Sequence, residues 1–236
     1  MARSRLQHLV TAAAVFAAIG LGAAQTATAA TAAHVKVRVE GPTATIDQSD
    51  PVPITGTFAG HQLPAPTALG ALLAAGRQHH FAIGLQWFDC CGFFVNSIAG
   101  TPGDATHYWA FKVGQELSSI GAGSIPAKPG LSVLFYYTTF NPNTGATEPT
   151  LGLSGRKAVA KGASVTFTVT AFNDAGKATA ARGAWLHVDG LAVHADSTGH
   201  ITVQFGHTGT FPVRATETGA IRSRTIWVHV GSSASS

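Results

Sequence analysis

Charged residues are scarce in this sequence of 236 residues. They make up 11% of the chain, whereas an average globular protein has about a quarter. No run of Lys and Arg occurs, which argues against nucleic acid or an anionic membrane as a partner. The 11 acidic residues are scattered, and no carboxylate pair typical of a glycosidase stands out. Beyond the N-terminal region, no apolar run is long enough to span a membrane.

Motifs of common catalytic and metal sites are also missing. The sequence has no G-x-S-x-G nucleophile elbow, no Ser, His and acid trio with a recognisable spacing, and no phosphate-binding Gly loop before a helix. His79 and His80 form the one adjacent histidine pair. On a predicted strand end they point to opposite faces, which disfavours a shared metal. We therefore predict no metal site, no cofactor and no enzymatic activity.

Further histidines are scattered over the C-terminal half of the chain, on predicted strands and turns. A metal or pH-sensing cluster is a secondary alternative for them. They are His187, His194, His200, His207 and His229.

Cysteine is nearly absent, and the two cysteines, Cys90 and Cys91, are adjacent. Adjacent α-carbons lie about 3.8 Å apart, closer than in an ordinary disulfide. A vicinal disulfide in a tight Asp-Cys-Cys-Gly turn is one interpretation. Two buried thiols and an intermolecular bridge are the alternatives. Two thiols without a nearby histidine are too few for a metal site.

The N-terminus has the three parts of a secretory signal peptide. Arg3 and Arg5 precede an apolar run from Leu9 to about Ala24, and a stretch of small residues follows. The sequence therefore predicts a signal peptide over residues 1–30, cleaved after Ala29 or shortly beyond. A membrane anchor is the alternative, but the apolar run is short for a span. Cleavage lowers the formal charge from +4 to 4 − 2 = +2.

The first part of the mature chain predicts several strands and one helix. Val35, Val37 and Val39 alternate with polar residues, which is typical of a half-buried strand. Thr67 can cap a helix that Gly76 ends. Further strands are predicted over Val52–Phe58, Phe81–Phe88, Phe93–Ile98, His107–Val113 and Leu131–Tyr137.

Residues 141–149 contain two prolines, two asparagines and no apolar periodicity, which predicts a linker between two independently folding domains. Beyond it no helix signal occurs. About seven short strands with turns between them are typical of a β-sandwich. The Cys…Trp…Cys pattern of antibody domains is missing, so the Ig-like interpretation concerns architecture alone. The domains predicted are 34–140, the linker 141–149, and 150–231.

Five segments of the first domain also occur in the order of a known family. They are Val35-Lys-Val-Arg-Val-Glu-Gly41, Thr67-Ala-Leu-Gly-Ala-Leu72, Gly92-Phe-Phe-Val-Asn-Ser-Ile98, Tyr108-Trp-Ala-Phe-Lys-Val113 and Pro129-Gly-Leu-Ser-Val-Leu-Phe-Tyr-Tyr137.

In this order residues 34–140 resemble the transcobalamin C-terminal-like family of exported bacterial proteins. The resemblance implies a small α+β, β-grasp-like domain. The fold class expected is therefore mainly β, with this domain followed by an Ig-like antiparallel β-sandwich. The cysteines at 90–91 depart from the positions usual in bacterial relatives, and no large helical domain is present. Cobalamin binding is therefore not implied.

Aromatic residues crowd the first domain around the cysteine pair. Alternation places Tyr108 and Trp109 on opposite faces of their strand, and we assign the Trp109 face to the core. The functional interpretation is an exposed aromatic patch suited to a flat apolar or sugar-like ligand. The candidate binding residues are Trp87, Phe88, Tyr108 and Trp109.

The sequence thus predicts a secreted or cell-surface protein, monomeric and without a membrane span after signal cleavage. Its first candidate function is a non-catalytic binding module for a small ligand or cell-surface polymer. The alternative is a structural or adhesive envelope protein that makes protein contacts. A pocket near Trp87 and Tyr108 favours the first, whereas a flat surface with a bare sheet edge favours the second.

Overall fold

The computed structural model of the protein describes residues 33–232, and the predicted signal peptide lies outside this part. We refer to residues 33–140 as the first half and to residues 150–232 as the second half. The elements of the first half are β1 (Lys36–Glu40), β2 (Thr45–Ser49), β3 (Gly56–Phe58), β4 (His61–Leu63), α1 (Ala68–His79), β5 (Ile83–Phe88), β6 (Gly92–Ile98), β7 (Thr101–Pro102), β8 (His107–Val113), β9 (Glu116–Leu117), a 3₁₀ helix (Ala122–Ser124) and β10 (Ser132–Thr139).

A five-stranded sheet in the order β2-β1-β10-β8-β9 forms the centre of the first half. β1 and β10 run parallel, with Val37 opposite Val133 and Val39 opposite Phe135. These residues, with Trp109, form one core with the leucines of α1. The first and last long strands are therefore adjacent and parallel under a crossing helix, which is the expected β-grasp arrangement. A second sheet, β5-β6-β7, is antiparallel.

The helix α1 begins as the sequence predicts but ends later. The hydroxyl of Thr67 accepts a hydrogen bond from the Gly70 N–H at 3.2 Å, which caps the N-terminus. The predicted end at Gly76 is wrong, because the helix continues to His79. His80 takes the left-handed conformation instead and donates its N–H to the Gly76 carbonyl. His79 and His80 therefore end a helix rather than occupy a strand end.

The prediction of a half-buried strand implied that the polar face of β1 is in contact with solvent. The structure differs, because this face packs against the second half. Glu40 is buried and accepts a hydrogen bond from Arg222 of the second half at 3.2 Å. Lys112 of β8 is fully buried on the same face of the sheet and donates to the Asn173 carbonyl at 2.8 Å. Both faces of the sheet are therefore covered, one by α1 and the other by the second half.

Burial changes the acid–base properties of these groups. It raises the pKa of Glu40, although Arg38 and Arg222 oppose the shift. It lowers the pKa of Arg38 to about 10 and also lowers that of Lys112. Each charged group has polar partners, as buried charges require.

The second half contains two sheets packed face to face around one core. Its strands are β11 (Thr150–Ser154), β12 (Ala158–Ala160), β13 (Ser164–Phe172), β14 (Ala178–Ala180), β15 (Trp185–Val188), β16 (Leu191–His194), β17 (His200–Gln204), β18 (Gly209–Thr216) and β19 (Ile226–Gly231).

One sheet has β13 paired with β11, β14 and β17, and the other has the order β12-β19-β18-β15-β16. The chain passes from the first sheet to the second between β11 and β12, and β12 then runs parallel to the last strand, β19. The remaining pairs are antiparallel. This is the expected Ig-like β-sandwich.

The predicted linker is an ordered segment. The Asn141 N–H donates to the Ala146 carbonyl at 2.8 Å, which closes a short loop. Thr147 is buried, and its hydroxyl lies 2.9 Å from the Tyr136 hydroxyl. The two halves form one compact unit. That they fold independently stays a prediction.

Most strand positions agree with the sequence analysis, and β8 agrees at both ends. The strand predicted over Val52–Phe58 is shortened to β3, and the strand β2 over Thr45–Ser49 was missed. Among the described residues, no helix has the length and apolar character needed to cross a membrane.

Candidate ligand-binding site

A tight turn joins β5 and β6. The Cys91 N–H donates to the Phe88 carbonyl at 3.0 Å, and Gly92 follows with φ +81°. A turn followed by a left-handed glycine is a common three-residue hairpin connection. Cys90 and Cys91 are joined by a disulfide, and both are exposed. Of the alternatives open from the sequence, the structure thus has the vicinal disulfide.

Trp87 and Phe88 point to opposite faces of β5. The Trp87 ring stacks on His61 with centroids 4.1 Å apart, and its indole N–H donates to Asp89 at 2.9 Å. It is half-buried against the core. Phe88 is exposed and contacts Phe94 edge to face, with centroids 6.1 Å apart.

Tyr108 and Trp109 likewise separate on β8, as alternation predicts. Trp109 is buried in the core, and its indole N–H donates to the Thr101 carbonyl at 2.9 Å. Tyr108 lies on the other face and contacts Phe140, with ring centroids 6.0 Å apart. Burial, aided by the negative charge of Asp174, raises the pKa of Tyr108. The phenol therefore stays protonated at neutral pH.

An apolar cavity of about 330 Å³ lies beside β8. β8 pairs with β10 along its whole length but with β9 only at Lys112 and Val113. No named strand pairs with the rest of this edge, although the Phe111 carbonyl accepts from the Ser118 N–H and the His107 carbonyl accepts from the Asp104 N–H. Residues 108–111 of β8 line the cavity. We call this the aromatic cavity, and its main lining residues are Phe94, Tyr108, Trp109, Phe111, Ile120 and Phe135.

The loop over residues 117–122 forms the other side of the aromatic cavity. The Ser118 hydroxyl donates to the Ile120 carbonyl at 2.9 Å, which fixes the loop locally. Gly121 lies close to β6, since a Cβ there would be 3.5 Å from the Phe93 carbonyl oxygen. Ile120 lines the cavity and is 53% exposed. The loop therefore presents an apolar side chain both to the cavity and to solvent.

Exposed apolar side chains continue from the aromatic cavity onto the surface. Phe94 lines the cavity and contacts Phe88, and Tyr108 lines it and contacts Phe140. Phe88, Phe94, Ile120 and Phe140 form what we call the apolar rim, and all four are more than 40% exposed. No charged residue of the described chain lines the cavity. The arrangement suits an uncharged, flat ligand.

A smaller cavity of about 130 Å³ lies next to the aromatic cavity. Trp87 and Cys91 line it, and Phe93 and Gly121 line both cavities. The disulfide turn is therefore adjacent to the aromatic cavity but separated from it by these two residues. Of the four predicted binding residues, the structure places Tyr108 and Trp109 at the aromatic cavity, Phe88 on its rim and Trp87 at the smaller cavity.

Sequence reasoning missed the loop that completes the site. Ile120 and Leu117 line the aromatic cavity, but they lie in a Gly/Ser-rich stretch without periodicity. An isolated large apolar residue in such a stretch was the available signal. Phe140 was missed because it directly precedes the predicted linker.

The described residues contain no group of three His, Cys, Asp or Glu side chains placed to hold a metal ion. Several of the scattered histidines have local hydrogen-bond partners instead. His187 lies 2.7 Å from the Thr216 hydroxyl, and His200 lies 2.6 Å from the Thr198 hydroxyl.

Comparison with known proteins finds a family match in the first half. A domain of unknown function (DUF4430) matches residues 67–139, from the cap of α1 into β10. All residues that line the aromatic cavity fall within this stretch. Among curated proteins, none is significantly similar to this chain in sequence.

Among solved structures, the chain is similar to the D00-D0 domain of Intimin. The sequence identity is 15%, the TM-score is 0.24, and the match covers 64% of this chain and 79% of that chain. At that TM-score the likeness carries no argument about function.

Proposed function

We propose that the protein is an exported, non-catalytic binding module whose aromatic cavity holds a small, flat, apolar ligand. The observation that carries the proposal is the cavity itself, with its uncharged aromatic lining and its continuation into the apolar rim. Contiguous exposed apolar side chains mark interaction sites in soluble proteins.

The size and chemistry of the aromatic cavity support a small ligand. About 330 Å³ is near the lower end of the range for ligand pockets, about 300–1,000 Å³. Ser118 and Ser119 are the lining residues with hydroxyls on the loop side, and Tyr108 supplies a phenol. These few polar groups can fix the orientation of a ligand that aromatic contacts hold.

The lining chemistry also supports binding without catalysis. Acid–base catalysis at neutral pH needs a group with a pKa near the working pH. Tyr108 does not meet this requirement, because the pKa of its phenol is raised above an ordinary value that already lies well above neutral pH. No His, Asp, Glu, Lys or Cys of the described chain lines the cavity.

Export and family membership are parts of the same proposal. The predicted signal peptide supports secretion to the extracellular space or the cell surface. The parallel β1 and β10 under α1 agree with the transcobalamin C-terminal-like resemblance. N-terminal sequencing of secreted protein is expected to begin between Ala30 and His34, and intact Met1 in membranes would contradict export.

The binding proposal is tested with the fluorescent apolar probe N-phenyl-1-naphthylamine and Ile120→Glu. A carboxylate at the aromatic cavity is costly to desolvate, so we expect probe affinity to fall about tenfold or more. Ile120 is half-exposed, so the fold should tolerate the change. Leu191→Glu, at a similarly exposed position in the second half, is the matched control and is expected to keep the wild-type affinity.

Equal loss of probe binding in both variants, or in neither, contradicts the assignment of the aromatic cavity. Thermal melts of both variants report whether the fold is retained. An unchanged melting temperature with lost binding in Ile120→Glu is the expected combination.

A protein partner is a second candidate, favoured by the outer edge of β8. Unpaired strand edges can accept a strand from another chain. Sedimentation velocity tests this for a second copy of the chain. We expect a monomer, whereas concentration-dependent association that Ile120→Glu abolishes would favour the second candidate.

A further inference from the structure

Trp227 is an exposed aromatic residue of the second half, distant in sequence from the residues that line the aromatic cavity. β19 alternates, with Ile226 and Val228 in the core and Trp227 on the outer face of its sheet. The Trp227 side chain is 53% exposed. It lines two neighbouring surface cavities, of about 700 and 520 Å³.

The larger of these cavities is cationic. Lys36 of the first half lines it with Lys157 and Arg224 of the second half. Among the described residues, Asp50 is the one carboxylate in the lining. We call this cavity the basic groove. Its three cations against one acid give it a positive charge, although the mature chain as a whole has few charges.

The basic groove is held in one geometry by hydrogen bonds between the two halves. The Gln48 side-chain amide donates to the Thr225 carbonyl at 2.9 Å and accepts from the Thr225 N–H at 3.0 Å. Gln48 lies on β2, which pairs with β1, and Thr225 directly precedes β19. Trp227 is therefore positioned relative to Lys36 before any ligand binds.

The smaller cavity adds one permanently charged cation to this surface. Arg214 and His187 line it together with Trp227. The carboxylate of Asp189 also lines it, but lies 3.3 Å from the His207 ring nitrogen. Thr225 lines both cavities. Trp227 thus lines both the basic groove and a cavity that contains the Arg214 guanidinium.

We propose that this surface binds an acidic polysaccharide, one that carries carboxylates on its sugar rings. An exposed indole offers a flat face to the C–H groups of a sugar ring, and the flanking cations complement the carboxylates. A single bound ion needs no aromatic face, and an apolar ligand needs no cations. The proposal does not depend on the function proposed for the aromatic cavity.

The first test is calorimetric titration of the mature protein with oligogalacturonate. We expect binding, and Trp227→Ala should weaken it about tenfold, or about 1.4 kcal/mol. Trp185→Ala is the matched control, because Trp185 is exposed on the same sheet but lines neither cavity. It should change the affinity less than about twofold.

The second test removes charge without altering the indole. Lys36→Gln combined with Lys157→Gln should weaken oligogalacturonate binding about fivefold, since exposed ion pairs contribute modestly. Lys128→Gln combined with Lys161→Gln removes the same charge from exposed positions elsewhere and should leave affinity unchanged. Wild-type affinity should also fall as salt is raised from about 0.05 to about 0.5 M.

The proposal is overturned if oligogalacturonate does not bind, or if the groove and control variants lose affinity equally. Polyglutamate is the probe for a general anion surface. Equal binding of polyglutamate overturns the polysaccharide assignment, whereas clearly weaker binding supports it. The naphthylamine titration reports on the aromatic cavity of the first half. A negative result with oligogalacturonate therefore does not contradict the function proposed for the aromatic cavity.

Discussion

The two halves of the molecule expose aromatic side chains in different chemical settings. In the first half the exposed rings surround a cavity that no charged residue of the described part of the chain lines. In the second half Trp227 lies on a sheet face and lines two cavities together with cationic side chains. Exposed aromatic residues alone therefore do not define a ligand class, since the groups beside them decide whether an apolar or a charged ligand fits.

The surface between the halves is different again, because its polar groups are buried. Lys112 donates to Phe172 and Asn173 carbonyl oxygens, and Thr147 of the 141–149 segment bonds both to Tyr136 of the first half and to Asp174 of the second. No buried side-chain polar atom of the described chain lacks a partner. This interface determines how the basic groove, which both halves line, is assembled.

The largest loss of stability is expected for the buried Trp109, and a much smaller one for the exposed Trp227. Trp109→Ala removes a buried ring and its hydrogen bond to Thr101, and should lower the free energy of unfolding by about 3–5 kcal/mol. Trp227→Ala should lower it by less than about 1 kcal/mol, because the ring is already half in water. Urea denaturation measures both. Similar losses of unfolding free energy in the two variants would contradict the distinction between a buried and an exposed tryptophan.

The next largest effect concerns the interface. Lys112→Ala leaves the buried acceptor at Thr150 and the part-buried bonds to the Phe172 and Asn173 carbonyls without their donor, and should cost about 3 kcal/mol of unfolding free energy. Lys177→Ala, at an exposed position that follows Asn173 in the second half, is the control. Equal stability of the two variants would show that the interface contributes little.

Limited proteolysis tests whether the two halves fold independently. Cleavage within residues 141–149 is expected to leave the two halves as separate, stable fragments.

Much of the fold follows from local signals in the sequence. The Thr67 cap, the valine face of β1 and the bounds of β8 follow from local chemistry or strict alternation. The helix end was wrong because Gly76 is compatible with helical backbone, and the exposed residues 77–79 continue the helix beyond its buried part. The buried polar face of β1 was not predictable, since Glu40 reads as a solvent-facing residue until Arg222 is brought to it from the other half.

The candidate sites were less predictable than the fold. Alternation correctly separated Tyr108 from Trp109, but it gave no sign that β8 has an unpaired edge there. The loop residues that close the aromatic cavity have no periodicity. The basic groove combines Lys36 with Lys157 and Arg224, which are distant in sequence. Tertiary structure alone brings such residues together.

A smaller effect is expected at the disulfide turn. Cys90→Ser with Cys91→Ser should cost less than about 1 kcal/mol, because a bond between adjacent residues restricts few unfolded conformations and both side chains are exposed. Probe binding should weaken about twofold, since Cys91 lines the cavity next to the aromatic one. Intact mass with alkylation, before and after reduction, checks the bond. Two free thiols in secreted protein would remove the basis of this prediction.

The smallest effect that we expect is a pH-dependent contribution of Asp196, in the second half, to the stability of the fold. Hydrogen bonds from the Thr198 hydroxyl and from the backbone N–H groups of His200 and Thr198 lower the pKa of Asp196 to about 2, from 3.8. A lowered carboxyl pKa stabilises the fold above pH 3.8, and this contribution is lost as pH falls through about 2. The melting-temperature difference between wild type and Asp196→Asn should therefore shrink on acidification. A constant difference would contradict this.

Ligand depletion from the culture medium of the source organism, measured by mass spectrometry, tests directly whether the aromatic cavity binds a small apolar compound. Wild-type protein, Ile120→Glu and Leu191→Glu are incubated with the same medium extract and then separated from unbound compounds. We predict that at least one small apolar compound is enriched on wild type and Leu191→Glu but not on Ile120→Glu. If all three proteins retain the same compounds, or none, the aromatic cavity is not the binding site.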